Sequence, residues 1–146
     1  MASIYPEINL PTLIAPQKKK AFDKNKVAPF FDYRFGEFTI TPSGKPKMAT
    51  PKEAFEQFCI KACLTERGTR LAYSDKIGVE FHELAGMNDN EAVKSKIIRT
   101  ITEAIMVHPQ AAWVKDFSFK ITGDSVQVSF TVKGKDFDES KLSVLI

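Results

Sequence analysis

The sequence predicts an α+β fold. It reads as a small antiparallel sheet with a C-terminal hairpin packed on two main helices and one short helix, plus an extended N-terminal arm and a C-terminal tail. Three observations predict this. "WVKDFSFKI" and "SVQVSFTV" alternate apolar and polar residues with period two, on either side of a "TGD" turn. "PKEAFEQFCIKACLTE" and "EAVKSKIIRTITEAIMVHP" repeat apolar residues at helical spacing. A hairpin with one apolar face needs a layer to cover it, and two amphipathic helices supply that layer.

Residues 1–30 form the arm. They hold Pro6, Pro11, Pro16 and Pro29, a lysine run at 18–20, and no sustained period. They also carry Ile4, Tyr5, Ile8, Leu10, Leu13 and Ile14, residues for which a solvated linker has little use. Such an arm is expected to lie in a groove, on its own domain or on a partner. Residues 31–133 form the domain. Phe38 and Ile40 alternate with Thr39 and Thr41 as a short strand, ended by the turn residues Pro42, Ser43 and Gly44. Thr50 then reads as an N-cap, with Pro51 at the first helical position and Glu53 closing a capping box. In the helix that follows, Phe55, Phe58, Cys59, Ala62 and Cys63 make an apolar stripe.

After the irregular "TRLAYSDKIG", a short helix is expected over "VEFHELAG", ended by Gly86. "MNDN" offers caps for the longest helix. There Val93, Ile97, Ile101, Ala104 and Ile105 face one way, and Pro109 stops the helix. In the hairpin, Phe117, Phe119 and Ile121 share one face, as do Val126, Val128, Phe130 and Val132, with Gly123 supplying a positive φ. Residues 134–146 form the tail. Val144, Leu145 and Ile146 at its end call for pairing or docking, and an added strand fits.

The 146 residues suffice for one ordinary domain. Hydrophobic residues at 43% and charged residues at 27% give a globular composition. No apolar run approaches the roughly 20 residues of a membrane span, and the order of apolar and basic residues at the N-terminus is not that of a signal peptide. The expectation is a soluble protein made and kept in a cytoplasm. Residues 1–50 carry eight Lys or Arg against four acids, and the remainder 13 against 14. The folded part is near neutral, which argues against a nucleic-acid-binding face and leaves the arm free to meet something acidic.

Little chemistry is visible. There is no Walker motif, no GxGxxG and no Gly-x-Ser-x-Gly elbow. Cys59 and Cys63 sit on one helical face and read as buried thiols, because a zinc site needs about four ligands. His82 and His108 lack a nucleophile or carboxylate constellation and read as cap or surface residues. Glu66, Asp75, Glu80 and Glu83 supply enough acids for a glycosidase pair, but sequence spacing alone establishes no cleft. Catalytic residues, metal ligands and cofactors are therefore expected to be none.

The stretch from about Tyr33 to Lys133 nevertheless resembles a known family. "DYRFGEFTITPSG", "TPKEAFEQFCIKACLTER", "YSDKIGVEFHELAG" and "IIRTITEAIMVHPQAAWVKDFSF" occur in the order seen in the small baseplate wedge proteins of contractile phage tails. The chain is most similar to the branch found in Gram-positive prophages and contractile (R-type) bacteriocins. The resemblance implies a structural part of a baseplate, assembled in the bacterial cytoplasm. It implies that the chain links larger wedge subunits to the tail sheath around the tube, by exchange of strands with sheath. Tube or hub proteins are further candidate partners. No small-molecule substrate, nucleic acid or membrane is expected. Two alternatives stand beside this reading. Some relatives have been called lysozyme-like, so one is a cell-wall hydrolase; the other is a standalone regulatory adaptor of similar fold.

The resemblance also implies interface residues. The family's acidic-basic motif after the first helix, which meets helices of the larger wedge subunits, matches Glu66 and Arg67 here, with Arg70 nearby. Some relatives have a proline between the two motif residues, and this chain has none. An anion is disfavoured at a helix C-terminus, so Glu66 needs an explanation. It either pairs inside the chain with Arg67, Arg70 or Arg99, or meets another chain. Val144, Leu145 and Ile146 complete the expected interface.

Overall fold

The computed structural model describes residues 28–82, 91–123 and 125–146. The chain runs β1 (Phe31–Asp32), β2 (Glu37–Phe38), α1 (Pro51–Leu64), α2 (Glu91–Met106), β3 (Ala111–Thr122), β4 (Ser125–Gly134) and β5 (Ser140–Leu145). β1 and β2 pair antiparallel, with Phe31 opposite Phe38. β3, β4 and β5 form a second antiparallel sheet in that order. α1 packs on α2 and β5, and α2 packs on β3. The architecture is α+β, as the two hydrophobic periods predict. The arm through residue 27 and the capping run "MNDN" lie outside the described residues.

α1 starts where its capping box says it should. The Glu53 N–H donates to Thr50 Oγ1 at 3.3 Å, and the Thr50 N–H donates to the Glu53 carboxylate at 2.7 Å. Phe55, Cys59, Ala62 and Cys63 of α1 are buried, and so are Ile97, Ile101, Ala104 and Ile105 of α2. The sheet meets them with Val128, Phe130 and Val132, all fully enclosed, and with Leu142 and Val144 of β5. Phe117 stacks on Phe130 with ring centroids 5.6 Å apart. The hairpin aromatics are thus core, not a surface for stacking bases. Both cysteines are free, and burial pushes the Cys63 thiol up to about 12 and Cys59 higher still. Deprotonation there would put an anion in an apolar interior, so neither is a nucleophile.

Four local expectations are met only in part, each for a tertiary reason. The strand expected over residues 38–41 is two residues long; Ile40 makes only an isolated bridge to Pro46, and both Phe38 and Ile40 face out. The helix expected over 79–86, whose second half with Gly86 lies outside the described residues, does not begin at Val79. That residue is drawn into a parallel bridge with Glu66, and only His82 has a helical turn before the described segment ends. The same bridge ends α1 at Leu64, two residues early, by pulling Thr65 into an extended conformation. Finally, β3 keeps Phe117 and Phe119 against the core with Ser118 and Lys120 exposed, but the alternation does not run the length of the strand. Its pairing with β4 shifts between Ala111 and Trp113 and again between Lys115 and Ser118, where Asp116 has φ 57°. Ile121 at its far end is 49% exposed. Such bulges twist a strand and interrupt its alternation.

Candidate protein interfaces

The corner after α1 is clamped by the backbone. The Arg67 N–H donates to the Val79 carbonyl at 2.9 Å, and the Val79 N–H donates to the Thr65 carbonyl at 2.9 Å. Gly78 makes this approach possible. Its φ is 108°, and a Cβ there would come within 2.6 Å of the Thr65 carbonyl oxygen. The Arg67 side chain then folds back over the same strand. Its Nε and Nη2 both donate to the Gly78 carbonyl, at 3.2 and 3.1 Å, and Nη1 donates to the Glu80 carboxylate at 2.9 Å. The Glu103 carboxylate lies 3.8 Å from Nη1. The Glu80 N–H donates to Thr100 Oγ1 at 3.1 Å and ties the loop to α2.

Glu66 behaves differently. It is exposed, and among the described residues its carboxylate has no hydrogen-bond or ion-pair partner. None of the three internal arginines pairs with it: Arg67 binds Gly78 and Glu80, Arg99 binds Glu103 at 2.8 Å, and Arg70 is exposed. The helix has already ended at Leu64, so Glu66 stands clear of the exposed carbonyls that would repel it. Around it Leu64 is 54% exposed and Leu71 fully exposed, next to Arg70. This surface mixes two apolar side chains with one anion and one cation. Leu71 carried no periodic signal in the sequence.

The C-terminal residues divide. Val144 is 4% exposed and belongs to the chain's own core, Leu145 is 65% exposed, and Ile146 is half-buried. Hydrogen bonds run both ways between Val126 and Ile146. In antiparallel pairing such bonded pairs alternate with unbonded ones. Residues 140, 142, 144 and 146 therefore point their backbone groups at β4. Lys141, Ser143 and Leu145 point theirs outward. Among the described residues nothing pairs with that outer edge. All six β4–β5 pairs keep register, unlike those of the bulged β3.

A third exposed surface lies on the β1–β2 hairpin. Phe35, Phe38, Ile40 and Met48 are 77, 54, 66 and 49% exposed. Between the hairpin and α1 opens an apolar groove of about 530 Å³, lined by Phe31, Tyr33, Phe38, Gln57, Phe58 and Lys61 among others. The Gln57 side-chain oxygen accepts the Phe31 N–H at 2.9 Å, which fixes the hairpin to the helix, while its Nε2 is buried without a partner. Burial raises the Tyr33 phenol above its ordinary value. Only the alternation at Phe38 and Ile40 hinted at this surface, and it pointed to the wrong environment.

Electrostatics give no sign of catalysis among the described residues. No three His, Cys, Asp or Glu side chains there converge as metal ligands. His108 is held below the usual imidazole value by burial. Its Nδ1 accepts the Gln110 N–H at 3.1 Å, and its ring lies 4.5 Å from that of Phe58. It is a packing and capping residue. No described helix is long and apolar enough to cross a membrane.

Known proteins supply the remaining comparison. A family profile described as "Contractile injection system sheath initiator" matches residues 27–136. No curated protein matches the sequence significantly. Among solved structures, a chain of the cryo-EM structure of the anti-feeding prophage baseplate, six-fold symmetrised, superposes with a TM-score of 0.50. The likeness covers 82% of this chain and 84% of that one at 17% identity, and so speaks for the fold.

Proposed function

Because the chain belongs to the contractile injection system sheath initiator family, we propose that it sits in the baseplate and starts the sheath by lending it the outer edge of β5. Members of this family are structural and not catalytic, so the hydrolase reading falls away, and a sheath initiator is part of a particle and not a standalone adaptor. The observation that carries the proposal is the row of unpaired backbone groups at Lys141, Ser143 and Leu145, on a strand in unbroken register. An incoming sheath strand takes its affinity from main-chain hydrogen bonds along such an edge. The opposite edge, on β3, is blunted by two bulges and a positive-φ residue, as edges that avoid pairing are. The β5 register keeps Val144 inside while Leu145 and Ile146 flank the new strand.

The exposed corner at Glu66, Arg70 and Leu71 is then the surface for the larger wedge subunits, with Arg67 holding its shape from within. On the ordered stretches that carry the resemblance, we place the chain in the Gram-positive prophage and R-type bacteriocin branch. Tube or hub proteins remain candidates for contact with the arm, residues 1–30, while residues 31–133 form the body and 134–146 the attachment strand.

Ser143→Pro tests the edge. A proline is tolerated on an edge strand where its missing N–H would face outward, so the monomer keeps its fold. Particles carrying Ser143→Pro are expected to show baseplates and tubes without sheath in electron micrographs. Full-length sheath on such particles would overturn the role of β5. If the proline variant is unstable by thermal melting, Leu145→Glu at an already exposed side chain asks the same question.

A further inference from the structure

We propose that the groove between the β1–β2 hairpin and α1 is the docking site of the chain's own N-terminal segment, residues 4–14, bound in extended, polyproline-like form. The groove walls are apolar and largely aromatic: Phe31, Tyr33, Phe38 and Phe58 face it. Its volume, about 530 Å³, is that of a ligand-sized cleft. Aromatic-lined grooves take proline-containing extended segments because such segments are already stiff and lose little entropy on binding. The sequence "IYPEINLPTLI" has that character, with Pro6 and Pro11 spaced among six apolar residues and a single acid.

The tether makes this segment the favoured occupant. Ala28 and Pro29 themselves line the groove, so the 27 preceding residues leave from its rim. Fourteen positions separate Ile14 from Ala28, and a flexible chain of that length spans on the order of 20 Å. The segment therefore meets the groove at an effective concentration of roughly millimolar, which no untethered partner matches. Charge agrees as well. Lys61 lines the groove and is exposed, its ammonium resting 4.8 Å from the Tyr73 ring. Glu7 is the one acid in the segment, and pairing it with Lys61 fixes which way round the segment lies.

The experiment is NMR on the full-length protein with labelled isoleucine methyls. The expected result is Overhauser contacts from the methyls of Ile4, Ile8 and Ile14 to the rings of Phe31, Tyr33 and Phe38. Phe38→Arg, at a half-exposed ring, should abolish these contacts and leave the β3–β4 resonances in place. Ile8→Asp should weaken them from the arm side with the groove intact. Arm methyls at random-coil shifts without ring contacts would overturn the proposal. So would contacts that survive both substitutions, and so would contacts seen only between differently labelled molecules, which assign the groove to a second copy.

Discussion

Arg67 turns its charge inward and Glu66, one residue before it, turns its charge out. The difference follows from the parallel bridge to Val79, which sends consecutive side chains to opposite sides. Arg67 fills three hydrogen bonds with Gly78 and Glu80 while its side chain is only 21% exposed. Removing it strands the Gly78 carbonyl and loosens the loop. Arg67→Ala is therefore expected to lower monomer stability by about 1.5–3 kcal/mol, the range of a hydrogen bond to a charged group. Glu66→Ala should change it by less than about 0.5 kcal/mol, as exposed substitutions do. Urea unfolding of both variants checks the pair. Equal losses would show that Glu66 has an internal role after all. If Glu66 then matters only when particles are assembled, its contribution lies between chains.

At the scale of elements, one glycine decides where α1 stops and why residues 79–81 are not a helix. The 79–82 stretch is expected to open a helix, but Gly78 lets the backbone come close enough to Thr65 and Arg67 for two hydrogen bonds. Gly78→Ala puts a methyl 2.6 Å from a carbonyl oxygen and 3.0 Å from the Arg67 nitrogen, at a φ that side chains avoid. A loss of about 2–3 kcal/mol is expected, since strain and broken bonds add. Chemical denaturation measures it, and an unchanged midpoint would mean that the corner is not clamped by this bridge. The bulges of β3 act on the opposite edge of the sheet. They were hidden in the sequence because "WVKDFSFKI" keeps its alternation on paper, and only pairing against β4 reveals the extra residues.

For the whole molecule, the core is a sheet of three strands with β4 in the middle and α1 and α2 over one face. Val128, Phe130 and Val132 have no exposed surface. Amides of β4 are expected to exchange with solvent slowest, at the free energy of global unfolding, while those of the β1–β2 hairpin exchange by local opening. Hydrogen exchange followed by NMR checks the order, and faster exchange in β4 than in the hairpin would contradict it. The α+β class, the capping box at Thr50, both buried cysteines, the apolar stripes of the two helices and the β3–β4 hairpin were all legible in the residue order. All of these rest on periods and caps encoded within a few residues of each other. Folding was needed to turn Arg67 inward and Glu66 outward, to make Val144 core and Leu145 edge, and to set Phe38 in the wall of an open groove. Those outcomes depend on pairings between residues distant in the chain, such as Arg67 with Gly78 and Val126 with Ile146. Local spacing does not specify which distant backbone comes to lie alongside, and a strand's faces are assigned only once its register is set.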